Sequence, residues 1–211
     1  PFEESAQYVM TGLRASYDYL PLSHYQAAGK AHEILHWDRN SRFCSACGTP
    51  MEQKEDIMKR CPKCGREVYP SISTAILVLV RKEDSLLLVH ARNFKGTFNS
   101  LVAGFLETGE TLEECVAREV KEETGLDIAG CRYLFSIPNL YPYSGFEVHT
   151  VDMFFECLTE SFDGAKAEDD AAEIIILPTN QLNPDDFGLQ SIKKAVDRYI
   201  CLLYTSPSPR D

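Results

Sequence analysis

The stretch from Gly104 to Leu126 constrains this chain more than any other. A glycine-bearing loop leads into a segment, Thr111 to Thr124, whose Leu112, Val116 and Val120 recur every four residues with Cys115 beside them. That spacing predicts an amphipathic helix with one buried stripe. Thr111 suits its N-cap, Glu113 and Glu114 suit its positive end, and Gly125 supplies the left-handed residue that stops it. Glu119, Glu122 and Glu123 stand at i, i+3 and i+4 and so share a helical face. Three like charges there repel one another, and the simplest compensation is an oxygen-seeking cation, Mg²⁺ or Mn²⁺. Arg118 lies in the same acidic row, where it can pair with Glu110 and hold the loop against the helix. A solvated acidic face is the plainer alternative for the three glutamates taken alone.

Upstream, Cys44, Cys47, Cys61 and Cys64 form two CxxCG turns separated by thirteen residues. Each turn offers two thiolates to one ion, which predicts a tetrahedral four-sulfur Zn²⁺ site. With every position filled by protein, that metal is structural. The other cysteines (Cys115, Cys131, Cys157, Cys201) have apolar neighbours and read as buried free thiols. This usage points to a reducing, cytoplasmic setting.

Around these motifs the chain divides into four segments. Residues 1–43 carry weak helical patterns, the better from Tyr25 to Trp37, and read as the remnant of a larger domain. Residues 44–70 are the zinc ribbon, and 71–201 the main domain. A hairpin is expected from Ser73–Val80 and Ser85–His90, then a short strand Leu101–Ala103, and strands Tyr133–Ile137, Thr150–Leu158 and Glu173–Leu177, with a closing helix Ser191–Ile200. Residues 202–211 carry two prolines and no periodicity and read as a non-native tail. The 44% hydrophobic content suffices for a real core, and strands mixed with helices give an α/β class. The net charge of -11 argues against a general nucleic-acid backbone binder, although bound cations can still bring phosphates to an acidic site. No apolar run reaches the eighteen residues of a membrane span.

The Gly104–Leu126 segment resembles the Nudix box, G-x5-E-x7-R-E-U-x-E-E-x-G-U with U apolar. It matches at Gly104, Glu110, Arg118, Glu119, Val120, Glu122, Glu123, Gly125 and Leu126. The paired CxxCG turns and the approach from Trp37 to Cys44 resemble the NADH pyrophosphatase branch of that family. The resemblance implies a Nudix-type α/β/α sandwich with a mixed sheet, preceded by a small zinc ribbon. It implies that Glu119, Glu122 and Glu123 are Mg²⁺ or Mn²⁺ ligands with the Gly104 carbonyl nearby, and that Glu110 and Arg118 orient the box. Glu173 aligns with a downstream metal-site glutamate, with Asp169 and Asp170 as weaker substitutes. Glu122 or Glu123 would deprotonate the water. Homodimers are common in this branch.

The resemblance further implies cleavage of a nucleoside diphosphate-linked pyrophosphate, NADH or NAD⁺ giving a nicotinamide mononucleotide plus AMP, and it admits NAD-capped RNA. The branch's specificity motif, S-Q-P-W-P-F-P-x-S, meets a variant here: Ser136-Ile-Pro-Asn-Leu-Tyr-Pro-Tyr-Ser144. Ser136 is kept, Asn139 stands where Trp is usual, and Ile137 replaces Gln. Tyr141 or Tyr143 offers a ring in its place, on what reads as a Pro-rich loop. Ser136, Asn139 and Tyr141 are thus the candidate substrate contacts. ADP-ribose or another nucleoside diphosphate derivative is the alternative substrate. A different class of function, a zinc-ribbon binding or regulatory protein, would rest on the basic stretch from Lys54 to Arg66.

Overall fold

The β-branched run Ser73–Lys82 becomes β4, the strand on which the main sheet is assembled in a computed structural model of the chain. The structure describes residues 10–13, 16, 19–92, 98–143, 146–169 and 171–205, and only the backbone at 22, 140–143, 146–148 and 205. In chain order the elements are α1 (Leu22–Asn40), β1 (Glu52–Glu55), β2 (Met58–Arg60), β3 (Glu67–Val68), β4, β5 (Ser85–Ala91), β6 (Val102–Phe105), α2 (Leu112–Thr124), β7 (Gly130–Tyr143), β8 (Phe146–Leu158), β9 (Ala171–Pro178) and α3 (Gln190–Thr205). They fall into two units, residues 1–72 with 140–149 and residues 73–139 with 150–211.

In the second unit the strand order is β7-β8-β4-β5-β9, with β6 also beside β4. β4 runs parallel to β8, from Ser73↔Thr150 to Arg81↔Leu158, and antiparallel to β5 and β6, so the sheet is mixed. Ile76, Val78 and Val80 join Val116 and Val120 of α2 in one core cluster. The alternate residues Leu77 and Leu79 join Ile192, Val196 and Tyr199 of α3 in the other. Burial on both faces explains why β4 reads as a continuous apolar run rather than an alternating one. Each fully buried side chain of this size contributes about 1.5–3 kcal/mol. The expected α/β/α sandwich with a mixed sheet is the observed one.

On the α3 side of β8 the inward residues are Thr150, Asp152, Phe154 and Glu156, all buried. Glu156 is satisfied there: the Tyr199 hydroxyl donates to it at 2.7 Å, Arg132 at 2.8 Å and Arg81 at 3.4 Å. Burial would raise its pKa, but these donors together hold it below the usual value.

In the first unit the zinc ribbon is a three-stranded antiparallel sheet, β1-β2-β3, where the sequence suggested only punctuated polar turns. Its strands have two to four residues, too short for a periodic pattern. Lys59 is buried, its ammonium 2.7 Å from Asp38 and 5.1 Å from the centre of the Trp37 ring. Lys54 pairs with Glu52 at 2.8 Å. The basic stretch of the sequence is therefore broken up by local pairing and burial.

Several boundaries differ from expectation. β7 continues through Pro138 and Pro142, so the presumed Pro-rich loop is strand backbone as far as Tyr143. As the terminal strand of the order, β7 can leave the missing N–H groups unpaired on its outer edge. The short strand lies at Val102–Phe105 rather than Leu101–Ala103, because its pairing with Ala75–Val78 sets the register. α1 extends beyond Tyr25–Trp37 at both ends. α3 runs past Ile200 to Thr205, with Leu203 packing on the α3-side core. Residues 206–211 of the presumed tail lie outside the described residues. Cys115 and Cys157 are buried as expected, whereas Cys131 is half-buried and Cys201 exposed at the end of α3. Among the described residues no helix is long and apolar enough to cross a membrane.

Candidate functional site

Local chemistry fixes α2. Thr111 Oγ1 accepts from the Glu114 N–H at 3.2 Å, and the Thr111 N–H donates to Glu114 Oε2 at 2.7 Å, a complete capping box. At the other end Gly125 adopts φ 71°, and the Thr124 hydroxyl donates to the Val120 carbonyl at 2.5 Å. The helix is thus pinned in the rotation that its apolar stripe demands.

Arg118 is the hub of the acidic face. Its Nη2 and Nε grip Glu110 through both carboxylate oxygens, at 2.7 and 3.1 Å, and Nη2 also donates to the Phe105 carbonyl at 3.1 Å. Glu110 accepts the Glu107 N–H at 2.7 Å as well. The Arg118 guanidinium, aided by that N–H, pulls the Glu110 carboxyl down to about 2. A depressed carboxylate contributes stability above its ordinary pKa, lost only as pH falls towards the folded value, so this clamp stays charged at any ordinary assay pH. Arg118 thus pairs with Glu110 and ties the loop to α2.

The remaining nitrogen of Arg118, Nη1, donates to Glu119 Oε1 at 2.7 Å and to Glu122 Oε2 at 3.1 Å. Two carboxylates therefore converge on one point of positive charge. Glu119 is nearly enclosed, and burial raises its carboxyl above the usual range despite Arg118. Its seat is Gly104, where a Cβ would run into the Glu119 carboxylate. Gly104→Ala is expected to displace that carboxylate and lower turnover about 10²-fold, as misplacement by about an ångström does. Steady-state kinetics beside an unfolding curve checks this; unchanged kcat would refute the seat.

Glu123 is placed differently from its two companions. It is 6% exposed, and its Oε1 accepts the Ala103 N–H at 3.3 Å. The segment ahead of β9 straps the end of α2, with the Lys166 and Glu168 N–H groups donating to the Thr124 and Glu123 carbonyls, each at 3.0 Å. Glu173 is exposed on β9, in register with His90 of β5. Asp169 is exposed in a left-handed turn (φ 43°), and Asp170 lies outside the described residues. Among the described residues, the three box glutamates do not close on a single point with a third ligand. The paired hard oxygens of Glu119 and Glu122 nevertheless fit a small divalent cation, because they already share a cationic partner.

The four cysteines do close. All four Sγ atoms lie within 4.8 Å of one another, with Cys44–Cys64 and Cys47–Cys61 each at 3.5 Å and Cys47–Cys64 at 3.7 Å. Zn–S bonds of about 2.3 Å in a tetrahedron require sulfurs about 3.8 Å apart. None is disulfide-bonded. Gly48 and Gly65, at φ 70° and 76°, turn the chain back so that their N–H groups bond the Cys44 and Cys61 carbonyls. Hydrogen bonding with Thr49 lowers Cys47 to about 6, whereas Cys64, drawn down by the Arg66 N–H, is pushed up to about 11 by Cys44 and Cys61. Four crowded sulfurs cannot all ionise without a cation, and the cluster fits a structural Zn²⁺.

Of the candidate substrate contacts, Ser136 is exposed on β7 and Asn139 is half-buried, its amide acting on Asp152. The side chains of Tyr141 and Tyr143 lie outside the described residues, as does Ser144. Asp152 was missed in the sequence, although an acid inside Val151-Asp-Met-Phe-Phe155 is itself a signal.

Comparison with known proteins agrees with this architecture. The NUDIX domain model matches residues 71–199, the NADH pyrophosphatase zinc ribbon domain residues 39–69, and the NADH pyrophosphatase-like rudimentary NUDIX domain residues 2–37. The "NAD-capped RNA hydrolase NudC" of Chromobacterium violaceum is 43% identical over 126 residues, covering 59% of this chain and 48% of that protein. The protein of the same name from Salmonella agona is 38% identical over 160 residues, covering 75% of this chain and 56% of that one. The chain thus spans about half the length of the curated relatives it matches. Among solved structures, a NUDIX hydrolase from Nitrosomonas europaea superposes with a TM-score of 0.54 at 21% identity, over 79% of this chain and 95% of that one, a likeness of fold. With that fold, the four-sulfur ribbon ahead of it and the intact box on α2, the chain belongs to the Nudix family.

Proposed function

We propose that this chain hydrolyses the pyrophosphate bond of a nucleoside diphosphate-linked substrate in a Mg²⁺- or Mn²⁺-dependent reaction, with NADH or NAD⁺ split to a nicotinamide mononucleotide and AMP. The observation that carries it is the convergence of Glu119 and Glu122 on one cationic point, held by the Arg118–Glu110 clamp and seated on Gly104. Glu119 and Glu122 would hold the metal, with Glu123, Glu173 and the Gly104 carbonyl as further ligands. When bound, that cation neutralises pyrophosphate charge and lowers the pKa of a water molecule. The protein's own contribution is positional. Arg118 keeps the loop against α2 and fixes the direction of two carboxylates, while Glu122, half-exposed, is free to take a proton from water.

The name borne by the relatives supports NAD-type substrates, including NAD-capped RNA. A second reading, ADP-ribose, is favoured by one observation: Ile137 and Asn139 replace the amide and ring of the family's dinucleotide motif. Homodimerisation and a cytoplasmic location belong to the same proposal, the latter supported by two CxxCG turns of the kind that holds zinc. The test is hydrolysis of NADH, NAD⁺, ADP-ribose and dinucleoside polyphosphates with and without Mg²⁺ or Mn²⁺, products identified by chromatography. Metal-dependent release of AMP is expected, and its absence across the panel would sink the proposal in favour of a binding role for the ribbon.

A further inference from the structure

We infer that Asp152, Asn139 and Ser191, gathered at the start of α3, form a recognition site for the N–H donor edge of a substrate heterocycle. This rests on the hydrolytic reading above and assigns the residues that select its substrate.

The two carboxylates on the inner side of β8 differ in their surroundings. Glu156 has an arginine pair and a tyrosine hydroxyl. Asp152, 3% exposed, accepts the Thr150 hydroxyl at 2.7 Å, and among the described residues no lysine or arginine pairs with it. Burial raises its carboxyl above the ordinary range, and the dipoles of Thr150, Ser191 and Asn139 offset only part of that rise. Ser191, 4% exposed, lies beside the carboxylate, yet its Oγ closes no hydrogen bond. A buried hydroxyl and an under-compensated acid are each costly when left unsatisfied. A purely structural core would place apolar side chains here, as at Phe154 and Ile192.

The position suits a substrate. Asp152 lies two residues beyond Thr150, where the parallel ladder with β4 begins at Ser73. Ala75 pairs with Asp152 on one side and with Phe105 on the other. Two strand spacings separate them, about 10 Å, and the Phe105 carbonyl is held by Arg118. A nucleoside spans that distance between its phosphate and the far edge of its base. Phe98, 45% exposed, packs on Gly188 two residues ahead of α3 and offers a ring face for stacking.

A carboxylate, a primary amide and a hydroxyl together complement an amino or carboxamide NH₂ group. Adenine and nicotinamide both present one, so the shared chemistry is the donor edge, and the experiment separates the sources. Binding of AMP, IMP and nicotinamide mononucleotide is measured by calorimetry on wild type, Asp152→Asn and Ser191→Ala, alongside thermal unfolding and steady-state kinetics on the panel. Asp152→Asn is expected to weaken one mononucleotide about tenfold, the loss of one good hydrogen bond, and to raise KM while kcat holds within about twofold. Loss for AMP, with IMP already weak in wild type, identifies adenine; loss for nicotinamide mononucleotide identifies nicotinamide. Ser191→Ala, the milder change, reports the same selectivity if Asp152→Asn does not fold. Unchanged affinities in the folded variants, or no mononucleotide binding to wild type, would overturn the site. Asp152-dependent binding without turnover of any panel substrate would keep the site and reject the hydrolytic reading.

Discussion

Glu122→Gln is expected to lower kcat for pyrophosphate hydrolysis about 10²–10³-fold, with unfolding free energy changed by no more than about 0.5 kcal/mol. The two magnitudes separate because Glu122 is half-exposed and makes one ion pair on the surface of α2, with Arg118. Exposed pairs of this kind contribute about 0–1 kcal/mol to folding. Removing its charge, by contrast, takes away a hard-oxygen ligand and a proton acceptor at the reacting centre. Glu119→Gln should be at least as damaging to turnover but also alter stability, since that side chain is enclosed against Gly104. Activity assayed over a range of Mg²⁺ concentrations distinguishes a ligand from a base: a lost ligand raises the metal requirement, a lost base does not. Full activity in Glu122→Gln would remove that residue from the chemistry.

Removing zinc is expected to unfold the ribbon. Structural four-sulfur sites bind with about 10–16 kcal/mol of apparent free energy, comparable with the whole stability of a domain. The ribbon has little else to hold it, because its strands are two to four residues long. The purified protein should carry about one zinc per chain, and Cys44→Ser should lose it. Trp37, the sole tryptophan, is buried beneath the Lys59 ammonium and provides the readout. Its emission should shift to the red as the metal is withdrawn, with loss of amide exchange protection over residues 44–70. A protein without zinc that keeps both signals, its cysteines paired as disulfides, would contradict the site.

The parts legible in the sequence are those whose partners are close along the chain. α2 was readable end to end because its cap, stripe and stop lie within fifteen residues, Thr111 to Gly125. The Arg118–Glu110 pair spans one loop, and each CxxCG turn presents its own two sulfurs. Local geometry limits what such neighbours can do, so the order of residues nearly dictates the outcome. The β4–β5 hairpin followed for the same reason.

Other features waited for residues far apart to meet. β7 continues through two prolines as the terminal strand of its sheet, a place in the strand order that no local pattern carries. The ribbon strands exist because the two cysteine turns are brought together. Glu123 shares a helical face with Glu119 and Glu122, yet its carboxylate is drawn to the backbone of β6, twenty residues earlier. Asp152 stands in an apolar run, and only the packing of β8 against α3 sets it beside Ser191. The sequence by itself determined the box, the helix that carries it and the four thiolates, because their energetics are local. Tertiary structure alone decided which carboxylates are buried and what faces them, because burial is a property of the packed layers and not of the chain.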